Sequence, residues 1–381
     1  MSRAGQRAHH NQLLRRVAWD PALRPTGGPV DAIVVPAARR AHRLRTVARL
    51  AAACDTTLVV LASHGCDLDE AAAEVARIPG CRALLAGIPD DGPGLLTPAT
   101  SAERFRVLSA GRSSNLSLKR NLGLLLARHL GWQKIMFVDD DIIRLTPHHV
   151  ARVAHHLGAN RYAGLRTVSF PDNSVVCHAI RELGRPQGIF VSGAALGVRV
   201  AADELDVFPD VYNEDWFALA GEARRNGVAD AGEVRQLEFD PFEDPQRAAV
   251  EEFGDLVAEG LYALFNDGSD VSRATGGYWE RFIEERAGLI QDLRRQHAAR
   301  EHVQAVKSLN EALFQLDRIR PADCVAFLRA WEEDQSAFAV RSLAARDKRC
   351  DHPEAFAELG ITRWRQASFG HAPLSLAGAR R

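Results

Sequence analysis

Short, wholly apolar runs alternate with longer amphipathic stretches through the first half of the chain. Ala32 to Val35 predicts a strand, and the basic stretch Arg40 to Ala53 predicts a helix. Thr57 to Ala62 is a second strand, Asp69 to Ala76 part of a second helix, and Ala83 to Ala86 a weaker strand. A Pro/Gly-rich loop from Gly87 to Thr100 follows, then a helix over Leu116 to Leu130 and a strand over Lys134 to Val138. Strands without polar alternation are those buried on both faces, and alternation with helices implies βαβ units around a parallel sheet. Thr146-Pro147 starts another helix, with Thr as cap and Pro at the first helical position, running to about Leu157. Tyr162 to Val200, including Gly188 to Val200, reads as strands with loops.

Beyond about Gly277 the period changes to that of helices. Phe282, Leu289, Leu293, Leu309, Leu313 and Leu316 recur at helical spacing with charges between them. The expected organisation is an N-terminal arm over 1–28, ending in Pro25-Thr26-Gly27-Gly28-Pro29. A central α/β domain over 29–265 and a helical C-terminal extension over 266–381 follow it.

Composition narrows the class without naming it. The 381 residues are 46% apolar and 25% charged, with a net charge of -1, so no charge excess argues for nucleic acid or an anionic membrane surface. Lysine occurs only at Lys119, Lys134, Lys307 and Lys348, a bias of a GC-rich coding sequence rather than of mechanism. Six scattered cysteines without metal-finger spacing read as reduced thiols. Met1 to Gln12 lacks the apolar core of a signal peptide, and no run approaches the roughly 20 apolar residues of a membrane span. A cytoplasmic location is expected.

The chemistry concentrates where the apolar strand ending at Val138 empties into Asp139-Asp140-Asp141. Open α/β sheets bind ligands at the carboxyl ends of their strands. Mg²⁺ and Mn²⁺ take oxygen ligands, typically one or two carboxylates plus substrate phosphates. Asp139 and Asp141, one residue apart, suit that role, and three adjacent acids would repel one another without a cation. A solvated loop that caps the next helix is the plainer reading. Haloacid-dehalogenase-type phosphatases also place Asp-x-Asp after a strand. Here Ile143 stands where they carry a small hydroxyl or Val, and the motif lies far inside the chain.

The residues upstream add a resemblance. Ser117 to Arg128, containing Arg120-Asn121-Leu122-Gly123, leads through Gly131-Trp132 into the strand and triplet. Ile33-Val34-Val35-Pro36 is followed by Arg39, Arg40 and Leu44. Gly193 to Arg199 precedes Asn213-Glu214-Asp215-Trp216. Together these resemble family-2-type, inverting glycosyltransferases of the GT-A fold, over roughly residues 30–220. The resemblance implies a mixed, mostly parallel sheet with helices on both faces, Mn²⁺ or Mg²⁺, and a nucleoside-diphosphate-sugar donor, a UDP-sugar first of all. It implies that Pro36, Arg39, Asp67, Arg120, Asn121, Asp139 and Asp140 bind the donor, with Asp67 at the base and Asp139 near the ribose. Asp141, with Asp139, would hold the metal. Asp215 would be the general base towards an unidentified acceptor hydroxyl, oriented by Glu214. The opening loop reads Ala37-Ala38 where the family often has a hydroxyl or Asn, and no Gln-x-x-Arg-Trp processive motif is present.

Other readings stand beside these. Asp215 could cap the helix beginning near Trp216, and Arg120 could lie on a helix surface. His148, His149, His155 and His156 are badly spaced for one ion, because pairs seven apart sit roughly 10.5 Å along a helix. His178 reads as a buried histidine. The acidic loop Glu238 to Pro245 reads as a surface turn or a lid. A sugar-phosphate nucleotidylyltransferase would open with a Gly-rich loop that is absent here, and a non-catalytic binding protein would not need the intact acids. The C-terminal helices could brace the domain or join a homodimer.

Overall fold

The computed structural model describes residues 10–16, 30–89, 96–168, 174–185, 189–202, 204–368 and 374–375. The breaker at Pro25 to Pro29 and most of the 1–28 arm therefore lie outside the described residues.

The strands are β1 (Leu14–Arg16), β2 (Ala32–Val35), β3 (Thr57–Ala62), β4 (Arg82–Gly87), β5 (Lys134–Val138), β6 (Ile142–Ile143), β7 (Tyr162–Val168), β8 (Ala195–Arg199), β9 (Val228–Gln236), β10 (Trp364–Ser368) and β11 (Leu374–Ser375). The α-helices in the first half are α1 (Leu44–Ala53), α2 (Leu68–Ala76), α3 (Glu103–Leu108), α4 (Leu116–His129), α5 (Pro147–His156) and α6 (Val175–Glu182). Those that follow are α7 (Glu214–Arg225), α8 (Gln246–Asn266), α9 (Gly276–Ala299), α10 (Val303–Leu316), α11 (Pro321–Asp347) and α12 (His352–Glu358).

One mixed sheet runs β1-β9-β7-β8-β5-β2-β3-β4-β10-β11, with β6 paired to β9. Its centre is parallel: β5, β2, β3 and β4 run together, while β8 between β5 and β7 runs against both. Alternate residues of the continuous apolar strands feed two cores. Val34, Val59 and Phe137 face α4 and the later helices, whereas Ile33, Val35, Val60 and Met136 face α1, α2 and α5. Burial of each such side chain contributes about 1.5–3 kcal/mol, which is why these strands carry no polar alternation.

Gly123 shows why the helix of the Arg-Asn-x-Gly block needs a glycine. A Cβ there would lie 3.0 Å from Phe137 and 3.1 Å from Val34, so α4 rests directly on β2 and β5. Thr146 and His149 form a reciprocal capping box at the start of α5, as the Thr-Pro pair predicts.

Three elements depart from the expected pattern. Within the stretch read as strands with loops, Val175–Glu182 is a helix, started by the Ser174 side chain accepting from Cys177 N. Residues 10–16 join the sheet edge, anchored by His10 Nε2 to Glu259 at 3.0 Å. The segment 266–381 is helical through Glu358, but its helices share one apolar core with the sheet, and β10 then pairs antiparallel with β4. Gln335 seals the junction, accepting from Val207 N and donating to Leu205 O. Among the described residues, no helix is long and apolar enough to cross a membrane.

Candidate functional site

After β2 the chain passes through α1 to β3, towards one edge of the sheet, and after β5 through α5 to β7, towards the other, so the carboxyl ends of β2 and β5 flank a topological switch point. A cavity of about 630 Å³ opens there. Pro36, Arg39, Asp139, Asp140 and Asp141 all line it.

The triplet is not three equivalent acids. Asp140 is the anchor, accepting from Ala38 N and Arg39 N at 2.9 Å each and pairing with the Arg39 guanidinium. Those bonds fold the loop after β2 around the carboxylate. Asp141 accepts from Arg39 Nη2 at 2.8 Å and from Gln236 Nε2 at 3.2 Å. Asp139 takes Arg120 Nη2 on both oxygens at 3.1 Å, and its backbone N–H donates to Ala194 O on the strand side of β8. Two guanidiniums from distant parts of the chain thus supply part of the countercharge for the triplet, Arg120 being shared with Glu214. The repulsion expected among bare acids is relieved by Arg39 and Arg120, so repulsion no longer argues for a metal by itself.

Arg120 does not reach the cavity wall. It is buried between Asp139 and Glu214, its Nη1 meeting the Glu214 carboxylate. Burial works against its charge, but Asp139, Glu214 and Asp215 outweigh that and raise its pKa. Gly193 makes room for it: a Cβ there would fall 2.5 Å from the guanidinium carbon. Gly193 N in turn donates to Asp215 Oδ2 at 2.5 Å, and Trp216 N to Asp215 Oδ1 at 2.9 Å.

Asn213 precedes α7 with a left-handed φ of 61°, a conformation that Asn tolerates well, and its side chain donates to Asp255 at 3.0 Å. That kink aims Glu214 and Asp215, the first two residues of α7, at Arg120. Burial raises both pKa values, Glu214 to about 7, against the pull of Arg120.

Two expected donor contacts lie elsewhere. Asp67 caps α2, accepting from Asp69 N and Glu70 N at 2.9 Å, and it borders a separate cavity beside Arg363. A helix N-terminus engages a carboxylate strongly, and Asp67 is absent from the lining of the triplet's cavity. Asn121 clamps the backbone of Phe208, donating to its O and accepting from its N. It sits roughly 200° round the helix from Lys119, which with Leu116 is where α4 reaches the cavity.

Lys119 lies inside the Ser117 to Arg128 block, directly before Arg120, but the resemblance gives it no role. Its side chain is buried at the cavity floor and donates to Ala37 O at 2.7 Å. Its one signal is rarity, as one of four lysines in the chain. Arg43, His64, Gln236 and Arg247 also line the cavity. Arg43 is one of a basic run, and nothing local distinguishes Gln236. The acidic loop forms the opposite wall through Glu238, Phe239, Asp240, Glu243 and Asp244. Phe239 stacks under the Arg247 guanidinium at 4.2 Å. The four histidines of α5 do not gather into a metal-ligand group among the described residues, and His178 packs against Phe239, with burial lowering its pKa to about 4.

Around the cavity seven carboxylates face four permanent cations, Arg39, Arg43, Lys119 and Arg247. An anionic diphosphate would enter such a site poorly without a further cation, and hard oxygen donors at Asp139 and Asp141 suit Mg²⁺ or Mn²⁺. By chemistry that pair suits the ion, although among the described residues the triplet does not converge as a group of three ligands. The chain matches no protein-family model and no curated protein at a significant level.

Proposed function

We propose that the protein is a metal-dependent glycosyltransferase of the GT-A type. It would move a sugar from a nucleoside-diphosphate-sugar, a UDP-sugar first of all, to an acceptor hydroxyl. The observation that carries this reading is the cavity at the switch point of the sheet, where Asp139, Asp141, Arg39 and Lys119 converge. The mixed, mostly parallel sheet with helices on both faces is the architecture that reading requires.

Asp139 and Asp141 would hold the cation, which when bound supplies Lewis-acid relief of charge on the departing diphosphate. The side chain of Arg39 is 53% exposed, so its guanidinium has room to turn from Asp141 towards a phosphate. Lys119 places a second positive charge at the cavity floor. Asp215 would accept the proton of the acceptor hydroxyl; Gly193 N and Trp216 N hold its carboxylate, and the charge of Arg120, itself held by Glu214 and Asp139, acts on it. A base opposite the departing diphosphate would give in-line displacement with inversion; Asp215 is buried and outside the lining of this cavity, so an acceptor would have to open a path to it.

A thermal-shift screen of nucleotide-sugars, with and without Mn²⁺, tests the reading. Stabilisation by one donor that depends on Mn²⁺ and is lost in Asp141→Asn supports it. No donor response under either condition overturns it. A second reading, transfer without a metal, draws on Arg39, which already pairs with both Asp140 and Asp141. Full turnover in EDTA would favour that version.

A further inference from the structure

Beneath the acidic loop, the last turn of α6, the end of α9 and the start of α10 meet at three side chains. Glu182, His297 and His302 each offer a donor atom, and the three atoms lie within 4.8 Å of one another. Ligand atoms around a tetrahedral zinc stand about 3.3–3.5 Å apart, so small rotations of the side chains would close the set.

Proximity is not the whole case. His297 is 1% exposed, and its Nε2 lies 2.9 Å from Ala179 O. A carbonyl only accepts, so Nε2 carries the proton and Nδ1 keeps a lone pair. That Nδ1 is buried and has no hydrogen-bond partner among the described residues. Metal-bound imidazoles characteristically donate their other N–H to a carbonyl or carboxylate, which fixes ring and tautomer. His302 is brought back by a tight turn in which Glu301 adopts a left-handed φ of 58° and His302 N donates to His297 O at 3.0 Å. Its Nδ1 already meets Glu182 at 2.9 Å.

We propose that Glu182, His297 and His302 bind one divalent cation of the zinc type, separate from the acidic triplet. Two imidazoles and one carboxylate suit Zn²⁺, whereas Mg²⁺ and Mn²⁺ prefer all-oxygen sets, so the two sites differ in the ion they select. The ion would tie three helices together directly under Phe242, whose ring lies 5.2 Å from that of His302 and 6.3 Å from that of His297. Phe242 belongs to the loop whose acids form the cavity wall, so an occupied site would stiffen that wall.

The test uses the untagged full chain, stripped by chelator and titrated with Zn²⁺ by calorimetry and with Co²⁺ by visible absorption. The expected result is one tight Zn²⁺ per chain, Co²⁺ bands of a four-coordinate site, and a rise in melting temperature of a few degrees at about 100-fold excess over Kd. Glu182→Gln and His302→Gln alter half-exposed side chains and should each weaken Zn²⁺ binding by at least about 10-fold, while Asp141→Asn leaves it intact. Unchanged Zn²⁺ affinity in both of the first two variants, or loss of all Zn²⁺ binding in Asp141→Asn, overturns the proposal. Neither readout depends on sugar transfer.

Discussion

Arg120 and Arg286 are both buried guanidiniums set among carboxylates, and the difference between them separates a site from a brace. Arg286 is fully buried between Glu252 and Asp255, and the second acid is also held by Ser174 at 2.7 Å and Asn213 at 3.0 Å. The partners described there, Glu252, Asp255, Ser174 and Asn213, come from packed helices or their caps. Arg120 also joins two acids, but one of them, Asp139, forms the wall of an open cavity that carries more acid than base. Burying a charge is costly in either place, and only the second leaves charge for a ligand to use.

The sharpest way to break that contrast is Asp215→Asn. Loss of the proposed base should lower kcat by on the order of 10³–10⁴ while donor-induced thermal shifts persist. Equal loss of donor binding would make Asp215 a structural acid like Asp255. Arg286→Met should instead cost about 3–5 kcal/mol of stability in urea melts, because it strands two buried carboxylates, with activity falling only as the folded fraction falls. Gly193→Ala sits between the two. Its methyl would collide with Arg120, so about 1–3 kcal/mol of stability should be lost together with turnover. Retention of full kcat in that variant would show that the exact seat of Arg120 is unimportant.

The smallest effect is in pH. A base must be unprotonated, and burial raises the pKa of Asp215 and lifts Glu214 to about 7. The rate should therefore fall on acidification at a pH above the range of an ordinary aspartate. Glu214→Gln removes a neighbouring negative charge and should move that acid limb to lower pH. An acid limb at the same pH in Glu214→Gln would show that the two groups do not titrate together.

Much of the central sheet was readable because local pattern determines it. Ala32–Val35, Thr57–Ala62 and Lys134–Val138 are strands whose continuous apolar character reports burial on both faces. What stayed hidden depends on partners far along the chain. Trp364–Ser368 is a strand because β4, nearly 280 residues earlier, offers it an open edge. Val175–Glu182 opens with two β-branched residues, yet its helix is held by Ser174 and by Glu251, which accepts from Val175 N.

The site divided in the same way. The triplet announced itself, but its countercharges, Arg39 and Arg120, could be assigned only once the fold brought them to separate acids. Asp67 and Asn121 matched the family pattern in type and position, yet their hydrogen bonds go to a helix end and to the Phe208 backbone. Residue type fixes what a side chain can bind, whereas its place round a helix decides which neighbour it meets.

The strands contributed by the two ends of the described chain act as hems. Leu14–Arg16 lies along β9 at one margin, and Trp364–Ser368 lies along β4 near the other, with Leu374–Ser375 outside it. Trimming the protein to residues 30–360 would strip both, baring two rows of backbone donors and acceptors ready to pair with another molecule. Clumping of such a fragment would then reflect its raw borders, whatever the state of the crevice between them.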